Sequence, residues 1–150
     1  MPYLPYHFAC AGVGGARRIS GNSTQIQLSR GLGMSPNKET VQKYMDAFTK
    51  TDHAEILSCL TDDVEWVLPG AFHLTGKEAF DGEIENEAFV GSPAITVTRM
   101  AEEDDVVIAE GSVRASRRDG GVLNLVFCDV FVMRDAKIRH LTSYLMEIKA

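Results

Sequence analysis

NLVFCDVFVMRDAKIRHLTSYLMEIK, residues 124–149, reads as two long strands joined by a tight turn at Arg134–Ala136. Side chains alternate across a strand, so Leu125, Phe127, Asp129 and Phe131 share one face. Asn124, Val126, Cys128, Val130 and Val132 take the other. Asp129 is the exception in this apolar run. An ionised carboxylate without a partner is so costly to bury that the group usually takes up a proton instead. A neutral carboxylic acid is a hydrogen-bond donor and hence a catalytic part. The alternative is that Asp129 caps a turn, bonds a backbone amide or pairs with an arginine on a neighbouring strand. Perturbed acids occur in functional sites and in structural networks alike.

The strand pattern extends upstream to Ala94. ITVTRMAE, VVIAEGSVRAS, VLNLVFCDVFVM and KIRHLTSYLMEI form a meander with turns at Glu102–Asp105, Arg117–Gly121 and Arg134–Ala136. Before Ala94 the period is mostly helical. Ser35 as N-cap, Pro36 at the first helical position, and Val41, Tyr44, Met45 and Phe48 at helical spacing predict a helix over Pro36–Lys50. Asp52 and Glu55 make a capping-box-like pair for a second helix carrying Ile56, Leu57 and Leu60, and the two helices form a hairpin. Val64, Trp66 and Leu68 alternate before Pro69-Gly70, a short strand ending in a turn. Thr75 and Glu78 open a third helix, with Phe80 and Ile84 facing one way. Helices first and strands afterwards give an α+β class, with three N-terminal helices packed on one face of a curved antiparallel sheet. Such a sheet closes a cone-shaped pocket.

The 150 residues, 45% hydrophobic and 24% charged, suit one domain with a single core. A net charge of -6 argues against a nucleic-acid surface. The nearest basic cluster, Arg114, Arg117 and Arg118, sits beside a turn and reads as solvated, as does the acidic run Glu102–Asp105. No segment approaches the roughly 20 apolar residues of a membrane span. Cys10, Cys59 and Cys128 are odd in number and lack CxxC spacing, which implies a reducing compartment and a cytoplasmic location. Four scattered histidines without HxH or HxxxH spacing give no metal site, and no cofactor is expected. Residues 1–33, with AGVGGARRISGN and STQIQLSRGLG, carry no period, no signal-peptide pattern and no GK[ST] ending after GVGGAR. They read as a disordered or non-native N-terminal extension ahead of a domain over 34–150, and Met34 could be the initiator.

The order of elements, with YMDAF, TDHAEILSCLTDDVEWVLPG, GKEAF and FVMRDAKIRHLTSYL, resembles the nuclear transport factor 2-like superfamily in its SnoaL-like and ketosteroid isomerase-like branches. The resemblance spans about Lys38 to Lys149. It implies a cone with a hydrophobic pocket for a small apolar carbonyl or polycyclic compound. It also implies a homodimer through the exposed side of the sheet, where Val126, Cys128, Val130 and Val132 form an apolar stripe. In ketosteroid isomerases a tyrosine on the first helix and a protonated aspartate on a late strand form an oxyanion hole. Tyr44 and Asp129 fall at those positions, whereas the position of the general base holds Leu68. The Asp-Arg-Asp set of the superfamily's epoxide hydrolases falls near Gly111, Val113 and Ser143, none of them chemically competent. Ala136 stands where glycine is usual in the turn before the last strand.

Tyr44 and Asp129 as paired donors could hold an enolate or carbonyl oxygen. Proton abstraction beside that carbonyl, of isomerase or cyclase type, then requires a base across the pocket. The candidates are His73, in the loop after the first strand, and Glu110, mid-strand in VVIAEGSVR. Trp66, Leu68, Phe127, Phe131, Ser143 and Leu145 are the expected pocket lining. A one-residue slip in the meander turns Glu110 to the other face, so spacing leaves its side open. Two other functions stand beside the enzyme: a non-catalytic small-molecule-binding module, and a protein-interaction domain whose pocket is filled. The enzyme needs His73 or Glu110 to point inward.

Overall fold

The computed structural model describes residues 34–149; the expected extension over residues 1–33 lies outside them. Helix α1 (Pro36–Lys50) begins where Ser35 Oγ accepts from Lys38 N at 3.1 Å. Its buried stripe is Val41, Tyr44, Met45 and Ala47. Thr51, with φ 53°, turns the chain out of the helix, and Asp52 then caps α2 (His53–Ser58) by accepting from Glu55 N at 3.0 Å. Strand β1 (Leu60–Leu68) ends in a turn with Pro69 at its second position and Gly70, φ 82°, at its third, the pattern of a type II turn. The chain returns as β2 (Phe72–Thr75), enters α3 (Lys77–Ile84), and finishes as β3 (Phe89–Glu103), β4 (Val106–Arg117), β5 (Val122–Arg134) and β6 (Lys137–Glu147).

All six strands form one open, curved sheet in the order β2-β1-β6-β5-β4-β3. Every neighbouring pair is antiparallel except β1 with β6, which is parallel. The expectation of a purely antiparallel sheet is thereby corrected. A parallel pair needs a long connection, here everything from β2 to β5, and no local turn signal announces it. The His73 segment, expected as a loop, is strand β2, and α3 starts from Gly76 without the side-chain cap expected of Thr75. Two strands thus separate the third helix from the first two. Strand β3 starts at Phe89, ahead of Ala94, with its pairing broken between Val90 and Ala94, the stretch that contains Pro93.

The helices cover one face of the sheet, called inner below, with α1 lying mainly over β3 and also touching β4 and β6. The core between them includes Val41, Met45, Phe80, Val107, Phe131 and Leu141. Glu102, expected in a solvated turn, instead reaches the start of α1, where its carboxylate accepts from Ser35 Oγ and from Asn37 Nδ2 at 3.0 Å. His53 joins α2 to α3 through Asp81 at 2.6 Å and Glu85 at 3.2 Å. The β5–β6 turn puts both Asp135 (φ 52°) and Ala136 (φ 55°) in the left-handed region. Two central residues of positive φ define the type I′ hairpin that matches strand twist. Thr40 Oγ1 anchors this turn to α1 by donating to the Ala136 carbonyl at 2.7 Å.

Candidate functional site

Register fixes which side chains meet. Asp129 lies directly opposite Ala109 on one side and Ser143 on the other. Phe127 is opposite Gly111 and Leu145, and Phe131 is opposite Val107 and Leu141. These residues form the inner face beneath α1 and α3. Gly111 leaves the space that the Phe127 ring occupies. A Cβ added to Gly111 would meet that ring at 2.8 Å and would run into the Thr96 carbonyl.

Tyr44, from the middle of α1, reaches this face and packs edge-on against Phe131, with ring centres 5.6 Å apart. Phe48 lies 5.1 Å from Tyr44 and Phe80 lies 6.3 Å from it. Trp66 on β1 stacks on Phe80, with centres at 4.6 Å and planes at 25°, and meets Phe48 and Phe72 edge-on. Its indole Nε1 donates to Ser143 Oγ at 3.1 Å. An aromatic cluster therefore surrounds three polar side chains. Tyr44 is 3% exposed, Ser143 4% and Asp129 9%.

Burial dominates the electrostatics. It lifts the Asp129 carboxyl from 3.8 to about 7, against the smaller opposing effect of the Ser143 hydroxyl. Asp129 Oδ1 is buried and has no hydrogen-bond partner among the described residues. Burial also pushes the Tyr44 phenol well above its usual range, and the charge of a nearby Asp129 carboxylate adds to this. The site is thus a phenol and a carboxyl group that share an apolar, nearly dry environment. Both favour their neutral, proton-bearing forms over much of the range below pH 7, and both can donate to an oxygen.

Of the residues expected in the site, Tyr44, Asp129, Trp66, Phe127, Phe131 and Ser143 come together on the inner face. Leu68 and Leu145 lie on the same face, farther along their strands, with Leu145 still 45% exposed. His73 and Glu110 do not join them. His73 pairs with Val67, one residue from Trp66, and so takes the opposite side; its Nε2 is 2.9 Å from Glu65 Oε2. Glu110 lies between the inward Ala109 and Gly111, opposite Cys128, and is ion-paired to Arg99 at 2.7 Å. The placing of either as a base across the pocket is corrected by this alternation. His140 shares the outer side with His73, its Nδ1 3.8 Å from Glu65 Oε2.

Phe48, Phe72 and Phe80 complete the aromatic wall. The helical stripes of α1 and α3 already contained Phe48 and Phe80, but nothing in the sequence showed that they meet Trp66. Two surface hollows, about 300 Å³ against α1 between Glu39 and Glu55 and about 400 Å³ beside the β3–β4 turn, lie away from Asp129. Among the described residues no group of three or more His, Cys, Asp and Glu side chains could hold a metal ion, and no helix is long and apolar enough to cross a membrane.

Comparison with solved structures finds the same fold repeatedly. An NTF2-like protein of unknown function from Burkholderia pseudomallei K96243 superposes with a TM-score of 0.71 at 19% identity, covering 75% of this chain and 92% of that one. TerC, co-crystallised with polyporic acid, gives 0.69 at 23% identity, covering 75% and 92%. An LEH-like epoxide hydrolase of M. tuberculosis gives 0.66 at 15% identity, covering 74% and 83%. Comparison with curated protein sequences gave no match. The SnoaL-like domain model matches residues 41–141, from the buried stripe of α1 through the middle of β6. The α+β architecture and the superpositions show an NTF2-like fold, and the model match shows the family: the chain belongs to the SnoaL-like domain family.

Proposed function

We propose that the protein binds a small, mostly apolar carbonyl compound against the inner face of its sheet, with Tyr44 and Asp129 donating to the ligand oxygen. One observation carries this reading: a buried carboxyl group whose Oδ1 has no partner among the described residues, set among aromatic rings. An unpartnered buried polar atom is costly, and a ligand oxygen that accepts from a protonated Asp129 relieves that cost. Leu68, Phe127 and Leu145 supply the apolar contact beside it.

With His73 and Glu110 on the outer face, neither expected base reaches the ligand, and the proton-transfer role left to a protonated Asp129 is that of a general acid toward the ligand oxygen. A carboxyl group that titrates near pH 7 suits such a role, because general acid–base groups work best close to the operating pH. Binding and polarisation need only the two donors. The test uses an aromatic phenolate as an enolate mimic, with wild type, Asp129→Asn and Tyr44→Phe. Wild type binds the phenolate, and each substitution weakens binding about tenfold or more, as expected for a charge-assisted hydrogen bond lost in a dry site. Equal affinity for all three proteins would sink the proposal.

A second assignment concerns the outer face, where Ile108, Val126, Tyr144 and Met146 are all exposed. We propose that two copies of the chain pair through this face, leaving the two inner faces free.

A further inference from the structure

Past Phe127 the inner face runs on toward solvent, through Val113 on β4, Leu125 on β5 and Leu145 on β6. Arg117 follows Val113 by four residues and so points to the same side. Among the inward residues of β4, β5 and β6, only Asp129, Arg117 and Glu147 are ionisable. Register sets Glu147 opposite Leu125, and Arg117 Nη2 lies 3.4 Å from Glu147 Oε1. Strand β5 runs between β4 and β6, so the guanidinium crosses above β5 to make this contact. The side chains of Arg117 and Glu147 are 40% and 47% exposed. A single long contact near solvent is worth little, and among the described residues it is the only hydrogen bond the guanidinium makes. Leu145, between this pair and Ser143, faces inward yet is 45% exposed. From Asp129 to Leu125 the strand climbs four residues, about 13 Å.

We propose that Arg117 is the second anchor of the ligand site: it takes the carboxylate of an elongated, otherwise apolar ligand whose other end carries the oxygen held at Asp129. Glu147 occupies the guanidinium until that carboxylate arrives. A guanidinium fork meets a carboxylate through two parallel bonds, whereas Glu147 engages it through one. Once displaced, Glu147 turns into solvent, as its exposure permits. The body of the ligand lies along Leu145 and Leu125, a span suited to a pair of linked aromatic rings. The Asp129 end rests on the binding reading above; the Arg117 end adds the class of ligand, an apolar acid long enough to join the two.

The experiment compares, by calorimetry, the affinities of 4-hydroxybiphenyl and 4′-hydroxybiphenyl-4-carboxylate for wild type, Arg117→Gln, Glu147→Gln, Arg114→Gln and Asp129→Asn. Wild type prefers the carboxylate about fivefold, the scale of an exposed ion pair. In Arg117→Gln the two probes bind alike. Glu147→Gln removes the competing carboxylate and enlarges the preference. Arg114→Gln removes the same charge from the opposite face of β4 and keeps the preference, which separates a contact from the general field of the protein. Added salt shrinks the preference in wild type. Equal affinity of wild type for the two probes, or a preference that survives Arg117→Gln, overturns the inference. The two readings fail separately. If 4-hydroxybiphenyl binding is weakened by Asp129→Asn and the carboxylate gains nothing, the oxygen site stands and the anchor falls. If the preference depends on Arg117 while Asp129→Asn binds as wild type does, the anchor stands and the role of Asp129 falls. Binding of neither probe removes both.

Discussion

At Asp129 the folded protein keeps its proton at a pH where the unfolded chain has released it. The folded value is about 7 against an ordinary 3.8, with burial as the main cause. A folded value above the unfolded one gives a stability contribution that is fully present below about pH 4 and lost as pH rises through about 7. The interval corresponds to at most about 4 kcal/mol. Asp129→Asn cannot ionise, so its stability relative to wild type should improve by about 2–4 kcal/mol between pH 4 and pH 8. Urea unfolding midpoints across that range measure it, and a gap that does not change with pH would mean that Asp129 ionises like a surface carboxylate. At Gly111 the issue is space. Gly111→Ala must displace either the Phe127 ring or the backbone of β3, an overpacking cost of about 1–3 kcal/mol. The urea midpoint should fall accordingly, while Gly82→Ala, at a helical glycine with nothing within 4 Å of an added Cβ, should not lower it.

Elements whose signals are local were legible before any coordinates. The cap and stripe of α1 and the turns at 102–105, 117–121 and 134–136 depend on a few adjacent residues, and they lie where the sequence places them. What depended on distant partners was not legible. The parallel union of β1 with β6 joins residues more than seventy positions apart. The inner or outer side of Glu110 followed from cross-strand register, which one residue reverses. Asp129 stood out because its own strand is apolar, and Tyr44 through the family resemblance, yet the Trp66–Ser143 bond arises only once the sheet has assembled. Glu102 shows the same limit, since an acid in a turn looks solvated until α1 is seen above it. Glu102→Ala should therefore cost about 1 kcal/mol, through lost bonds to Ser35 and Asn37 at a helix start, while Glu103→Ala costs little. The β5–β6 turn offers the opposite change. Ala136 sits at φ 55°, where a Cβ is unfavourable, and Ala136→Gly should stabilise the fold by about 1 kcal/mol in thermal or urea unfolding.

On the scale of the whole molecule the sheet has two unlike faces. The inner one is covered by helices and carries the polar trio; the outer one exposes Ile108 (38%), Val126 (39%), Tyr144 (54%) and Met146 (69%) across three adjacent strands. Register makes these one patch, with Glu110, Cys128 and Tyr144 in one row and Ser112, Val126 and Met146 in the next. A stable pairing buries about 800 Å² per partner, and a face three strands wide can provide it. Each copy carries a net charge of -6, so long-range repulsion opposes association and added salt should strengthen it. The predicted species in solution has twice the 16.5 kDa chain mass, by sedimentation or light scattering. Val126→Glu, which sets a carboxylate between Ser112 and Met146 at the centre of the exposed patch, should return the mass to that of one chain. Because Val126 and Asp129 point to opposite faces, the same variant should bind the phenolate as wild type does. A wild-type mass of one chain at all salt concentrations would remove the dimer, and loss of phenolate binding on dissociation would mean that the site needs both copies.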